Sequence, residues 1–100
     1  MKLHWFKGKG PATTQELATL LRLEGRLGQG SFYSRSTRLR CAWGVLRDID
    51  VPGMVDGKRG LEYRDRLCLE EAGFTAVVND GFEGTPEERC EFMAQILDRI

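Results

Sequence analysis

Several kinds of residue that stabilise small proteins are scarce in this chain. It has three cysteines, widely spaced and without a Cys-x-x-Cys pair, and a single histidine. An odd number of isolated cysteines indicates free thiols in a reducing compartment, and this spacing does not match a zinc site. A chain of 100 residues can bury about two thirds of its unfolded surface, so its fold requires neither a disulfide nor a metal.

Long hydrophobic runs are also missing. No stretch approaches the roughly 20 apolar residues of a membrane span. The opening sequence MKLHWFKGKG is interrupted by glycines, unlike a secretory signal. We therefore expect one globular domain over residues 1–100 in the cytoplasm, with no cofactor, no metal and no membrane contact.

The net charge of zero conceals a division of charge along the chain. Residues 1–47 carry nine basic and two acidic side chains, whereas residues 48–100 carry six basic and thirteen acidic ones. Such asymmetry predicts a bipolar surface that offers two kinds of partner site. The alternative is that folding places the two halves against each other and mixes their charges.

Two helices have well-defined starts in the sequence. In the first, Thr13 is followed three residues later by Glu16, which predicts a capping box, and Gly25 marks the end. In the second, Thr85 and Glu88 form the same pair near the carboxyl end of the chain. One apolar face of this last helix is predicted to contain Cys90, Met93, Leu97 and Ile100.

The middle of the chain predicts several short elements. Residues 25–40 are rich in glycine and then prone to β structure, which indicates a loop that leads into a short strand. Residues 41–49 and 60–73 have helical spacing. Residues 50–60 are rich in turn formers, which predicts a long exposed loop or a small hairpin. Residues 74–78 fit either a strand or a helix. The predicted fold class is α+β, mostly α, with about four helices and a short strand or small hairpin.

Part of the sequence resembles a recurrent group of small phage and bacterial proteins. Their signature is roughly C-[AC]-L-G-[AV]-L, followed some tens of residues later by L-N-D or W-N-D. In this chain the matching residues are Cys41, Ala42, Gly44, Val45, Leu46, Asp48, Asn79 and Asp80. Trp43 replaces the usual leucine, and the intervening segment is short. The resemblance covers about residues 17–97 and implies a small α-rich fold and a phage or mobile-element origin, but no reaction.

Two interpretations explain why a cysteine and a glycine stand in the second predicted helix. Glycine inside a helix costs about 1 kcal/mol relative to alanine, so Gly44 predicts the close approach of another element, such as a helix crossing. Cys41 at a helix start would instead act as a nucleophile if a base were near, but His4 is the only histidine. We favour packing, with Cys41 as a small buried hydrophobe. Asn79 and Asp80 would then form a polar turn that holds backbone N–H groups before the last helix.

Charged side chains supply two function hypotheses. We expect a non-enzymatic protein that binds and inhibits a host protein or ribonucleoprotein complex. By analogy with phage proteins of this size, the most specific candidate is an anti-CRISPR-type inhibitor of host defence. Its acidic surface would occupy a channel meant for nucleic acid, and this acidic set is Glu83, Glu87, Glu88 and Glu91.

The alternative is a small nucleic-acid-binding accessory protein that uses the basic stretch 35–40. Here arginines would contact the phosphate backbone while aromatic rings stack on bases. The residues are Tyr33, Arg35, Arg38 and Arg40, with Phe32 beside them. A more remote alternative is a cysteine hydrolase centred on Cys41.

Overall fold

The computed structural model describes residues 1–6, 8–50 and 60–100. This described part contains five helices and one two-stranded antiparallel sheet, so the fold is α+β and mostly α, as predicted. In chain order the elements are α1 (Thr14–Glu24), β1 (Tyr33–Ser34), β2 (Leu39–Arg40), α2 (Ala42–Asp50), α3 (Tyr63–Glu71), α4 (Ala76–Gly81) and α5 (Pro86–Asp98). Within the described ranges, none of the helices has both the length and the hydropathy that a membrane crossing requires.

Helices α1 and α5 pack against each other at the centre of the core. Leu17 and Leu21 of α1 are fully buried, and so are Met93 and Leu97 of α5. Burying a side chain of this size contributes about 1.5–3 kcal/mol, so these four residues supply a substantial share of the stability. The apolar face predicted for the last helix is therefore confirmed for Cys90, Met93 and Leu97, whereas Ile100 is half-buried beyond the end of α5.

The predicted helix caps are present, with one difference. At α5 the capping box is complete, because the Thr85 hydroxyl accepts from the Glu88 N–H and the Glu88 carboxylate accepts from the Thr85 N–H. At α1 the Thr13 hydroxyl accepts from the Glu16 N–H, but the Glu16 carboxylate accepts from the N–H of Ala12, one residue earlier than predicted. The box at α1 is thus only half formed.

Helix α2 has the burial that its spacing predicts. Ala42 and Leu46 are fully buried, and Val45 is nearly so. The ring of Trp43 meets Phe74 edge-on, with 5.4 Å between ring centroids. This contact joins the first turn of α2 to the segment that precedes α4.

The segment left open between strand and helix forms α4. Thr75 is its N-cap, and the Thr75 hydroxyl accepts from the Val78 N–H at 3.0 Å. This short helix is the fifth, where about four were predicted. By contrast α3 is only weakly amphipathic, because the residues it buries are Asp65 and Leu69. Most of the loop or small hairpin predicted at residues 50–60 lies outside the described residues. The two strands β1 and β2 form where a single short strand was predicted.

Candidate nucleic-acid interface

Residues 32–40, called the arginine hairpin below, comprise Phe32, β1, a four-residue turn and β2. The backbone N–H of Arg38 donates to the carbonyl oxygen of Ser34 at 2.7 Å and closes the turn. Arg38 has a left-handed φ of +59°, which is uncommon for a residue other than glycine. This backbone geometry places Arg35 and Arg38 together in the turn that joins the two strands.

Two exposed aromatic rings of the arginine hairpin each lie close to a guanidinium. Tyr33 is 50 % exposed and Phe32 is 37 % exposed. The guanidinium of Arg47 lies 4.4 Å from the Phe32 ring centroid, and that of Arg40 lies 5.7 Å from the Tyr33 ring centroid. Both distances are within the range of cation–π attraction. The hairpin therefore exposes two aromatic rings, each with a guanidinium over its face.

The three arginines of the predicted basic stretch differ in their surroundings. Arg40 is engaged within the protein, since its guanidinium pairs with Glu24 at 3.2 Å and Asp48 at 3.7 Å. Arg35 and Arg38 are exposed, and neither takes part in an ion pair among the described residues. Of these three arginines, Arg35 and Arg38 are therefore available to bind an anion. Arg40 instead connects the end of the hairpin to Glu24 and Asp48.

The acidic set predicted to bind a partner is largely engaged with arginines of the basic half. Glu91 receives two hydrogen bonds from the Arg22 guanidinium, at 2.9 and 3.0 Å, and this contact lowers the pKa of Glu91. Glu87 pairs with Arg26 at 2.9 Å. Glu88 serves the cap of α5, and hydrogen bonds from Thr85 lower its pKa.

The remaining member of that set, Glu83, is exposed just before α5. The pairs that Arg22 and Arg26 make across the chain show that folding mixes the two charged halves in this region. The surface is therefore less bipolar than the linear sequence predicts, and only Glu83 and Glu88 of the acidic set are without an ion pair among the described residues.

Gly44 allows a close backbone contact, as predicted, but the partner is not a helix. A Cβ at this position would overlap the carbonyl oxygen of Phe32. The main chain of the arginine hairpin thus lies directly on the first turn of α2. The prediction of close approach is confirmed, and the expectation of a helix crossing is wrong, because a loop backbone occupies the space.

Asn79 connects three separate segments of the chain. Its side chain is fully buried, its Oδ1 accepts from the Ala42 N–H at 3.1 Å, and its Nδ2 donates to the Gly28 carbonyl oxygen at 2.9 Å. The amide oxygen therefore caps the start of α2 from a distant part of the sequence, where the four first N–H groups of a helix need acceptors. The predicted polar turn does hold a helix N–H group, but that of α2 rather than that of the last helix.

Arg89 is a buried residue that sequence reasoning missed. It is 4 % exposed, and its guanidinium donates to three backbone carbonyl oxygens: those of Leu27 at 2.9 Å, Asn79 at 3.1 Å and Phe82 at 3.1 Å. Charge-assisted hydrogen bonds offset part of the cost of burying the charge. A signal was present in the sequence, because Arg89 lies four residues before Met93 and thus beside the apolar face of α5.

The surroundings of Cys41 do not favour a nucleophile. Its side chain is 4 % exposed, and desolvation raises the pKa of the thiol, whereas a nucleophilic cysteine needs a lowered pKa. The imidazole Nδ1 of His4 lies 3.0 Å from the carboxylate of Asp65, which also accepts from the His4 backbone N–H. This His4–Asp65 pair, absent from the sequence analysis, joins the amino-terminal segment to α3.

The His4 side chain is hydrogen-bonded to Asp65 rather than to Cys41, so it is not placed as a base for the thiol. In the described residues, no group of three or more histidine, cysteine, aspartate or glutamate side chains is placed to hold a metal ion. Leu20, Val45 and Ile49 line a shallow depression of about 150 Å³ whose rim carries the Arg40 ion pairs. It is too small for most ligands.

No family model, curated protein or solved structure matches this chain. The resemblance to small phage and bacterial proteins therefore stays a prediction. Two residues of its motif have clear structural roles. Gly44 lets the backbone of Phe32 lie against α2, and Asn79 joins the start of α2 to the Gly28 carbonyl oxygen.

Proposed function

We propose that this protein is a non-enzymatic binding protein that contacts single-stranded nucleic acid through the arginine hairpin. The observation that carries the proposal is the exposure of Tyr33 beside Arg35 and Arg38, two arginines without an ion pair among the described residues. Phosphate contacts by arginine supply the affinity of such complexes, and base stacking on an aromatic ring adds about 1–3 kcal/mol per base.

Single strands suit this surface better than a duplex. The exposed faces of Phe32 and Tyr33 can stack only on bases that are not already paired and stacked within a helix. The hairpin has strands of two residues each, so the tip is small and offers phosphate contacts to one short stretch of backbone. We therefore expect modest affinity with little sequence preference.

Inhibition of a host protein complex, which analogy with phage proteins of this size predicts, has weaker support from the geometry. An inhibitor that imitates nucleic acid needs unpaired negative charge, whereas Glu87 and Glu91 pair with Arg26 and Arg22 on the same molecule. A hydrolase centred on Cys41 would need a thiolate that burial disfavours. Inhibition of a partner complex becomes an outcome of the test below.

The test measures binding of fluorescently labelled single-stranded DNA and RNA 16-mers by anisotropy at several salt concentrations. The double variant Arg35→Gln/Arg38→Gln should weaken binding about tenfold or more, and it should reduce the dependence of log K on log salt by about 1.4, since two phosphate contacts are lost. The matched control is Arg64→Gln/Arg99→Gln, which removes the same charge from exposed positions outside the hairpin.

Equal weakening by both double variants would show a general effect of net charge and would contradict the proposal. Failure of the unchanged protein to bind either oligonucleotide at low salt would also contradict it. A parallel affinity capture from host lysate, with and without nuclease, tests the rival inhibitor function. That function is supported instead if a partner complex is captured despite nuclease treatment and is also captured by the Arg35→Gln/Arg38→Gln variant.

A further inference from the structure

The loop that precedes the arginine hairpin is held by the end of α4 and not only by its own strands. The Gly30 N–H donates to Oδ1 of Asp80 at 2.9 Å, and the side-chain amide of Gln29 donates to the Asp80 carbonyl oxygen at 2.7 Å. Oδ1 of Asp80 also accepts from Nδ2 of Asn79 at 3.0 Å. One half-buried residue of α4 therefore fixes two successive residues of the loop.

A second fixed point lies only two residues further along the chain. The Phe32 carbonyl oxygen rests against Gly44 of α2, where no side chain intervenes. Ser31 alone lies between Gly30 and Phe32, so the chain has little freedom before it enters β1. These two contacts, one from α4 and one from α2, set the orientation of the exposed Tyr33 side chain.

We infer that Asp80 is a positioning residue for the arginine hairpin: through its hydrogen bonds to Gln29 and Gly30 it holds Phe32 and Tyr33 in the orientation that stacks on bases. This inference rests on the proposed function. Asp80 itself touches no ligand in this scheme. Its effect is to reduce the ordering that the hairpin must undergo on binding, and such preorganisation increases affinity without adding a contact.

Asp80 can be separated experimentally from the neighbouring core. Asn79 is fully buried and caps α2, so its replacement would disturb folding as well as the hairpin. Asp80 is half-buried, and its side-chain acceptor Oδ1 serves the loop. Two variants isolate that role, because Asp80→Asn keeps an acceptor oxygen whereas Asp80→Ala removes it, and both remove the same negative charge.

The comparison between these two variants is the test. We expect Asp80→Ala to bind the single-stranded 16-mer roughly threefold to tenfold more weakly than Asp80→Asn, with the same salt dependence, because the number of phosphate contacts is unchanged. Amide hydrogen exchange of residues 30–33 should be faster in Asp80→Ala than in Asp80→Asn, while exchange in α5 stays the same in both.

Each outcome has a distinct consequence. Equal affinity and equal exchange in the two variants would overturn the inference and leave the proposed function intact, provided that Arg35→Gln/Arg38→Gln still weakens binding. If the unchanged protein binds no oligonucleotide, the proposed function fails. The exchange measurement then decides whether Asp80 fixes the loop, and equal exchange in the two variants again overturns the inference.

Discussion

At the scale of single residues, Gly44 gives the sharpest prediction. The substitution Gly44→Ala should destabilise the protein by about 1–3 kcal/mol, because the added Cβ would overlap the Phe32 carbonyl oxygen and a backbone cannot move aside as a flexible side chain does. From the helix propensity of alanine alone the opposite result, a stabilisation of up to about 1 kcal/mol, would be expected. Thermal unfolding should show a decrease in Tm of roughly 4–8 °C for each kcal/mol.

Gly81→Ala is the matched control for this measurement. Gly81 is also helical, but a Cβ there meets nothing within 4 Å. Its replacement should leave the Tm unchanged or raise it slightly, since alanine is the better helix former. If the two variants melt at the same temperature, the close contact between Phe32 and Gly44 does not exist as described.

Other residue-scale features could not be predicted from the sequence. His4 gave no signal there, because its partner Asp65 lies 61 positions away and one isolated histidine has no pattern. The spacing to Met93 places Arg89 beside the apolar face of α5, but it does not show the three acceptors, which are main-chain oxygens that every sequence contains. Partners of this kind leave no mark on residue type or spacing.

At the scale of elements, the cap of α5 predicts a specific pH dependence. Hydrogen bonds from Thr85 lower the pKa of Glu88 below its ordinary value of 4.5. A carboxylate with a lowered folded-state pKa stabilises the protein above the unfolded-state pKa, and this contribution disappears as the pH falls through the folded-state pKa. Stability from the cap should therefore be complete near neutral pH and lost in acid.

The variant Glu88→Gln measures that contribution, because glutamine can accept the same hydrogen bond but does not titrate. The unchanged protein should have the higher Tm at pH 7, and the difference should shrink steadily below about pH 5 and vanish at strongly acid pH. Glu83→Gln, which changes an exposed acidic side chain before α5 that takes no part in the capping box or in an ion pair among the described residues, should not show this convergence. A Tm difference for Glu88→Gln that stays constant across the titration would contradict the assignment.

The elements differ in how well the sequence predicted them. Helices α1 and α5 have polar caps, apolar faces and local stop signals, all of which depend on near neighbours in the chain. Helix α4 contains the β-branched pair Val77 and Val78, which left strand and helix equally open. Its identity was decided by the Thr75 cap and by the burial of Asn79 at the centre of the molecule.

At the scale of the whole molecule, the mixing of charges predicts that stability and binding respond differently to salt. The ion pairs of Arg22, Arg26 and Arg40 are on the surface, where each contributes about 0–1 kcal/mol and is screened by salt. Raising the salt concentration tenfold should therefore lower the free energy of unfolding by at most about 2 kcal/mol. Urea unfolding at the two concentrations measures this change.

Over the same range the affinity for single-stranded nucleic acid should fall about 25-fold if two phosphates are contacted. The two measurements use the same protein and buffers, so they are directly comparable. A free energy of unfolding that falls by more than about 3 kcal/mol would mean that the ion pairs between the halves of the chain matter more to the fold than surface pairs normally do.

The sequence by itself determined the fold class, the two capped helices and the position where α2 requires a glycine, because these depend on periodicity and on near neighbours. The tertiary structure alone decided what lies against Gly44, which helix Asn79 caps and how the charges pair. These depend on which distant segments meet. Arg22 and Glu91 are 69 positions apart in the chain, and only the folded structure shows that they pair. The sequence therefore predicted an acidic set of which folding pairs Glu87 and Glu91 with arginines. It also could not distinguish Arg35 and Arg38 from Arg40, because only the structure shows the ion pairs of Arg40.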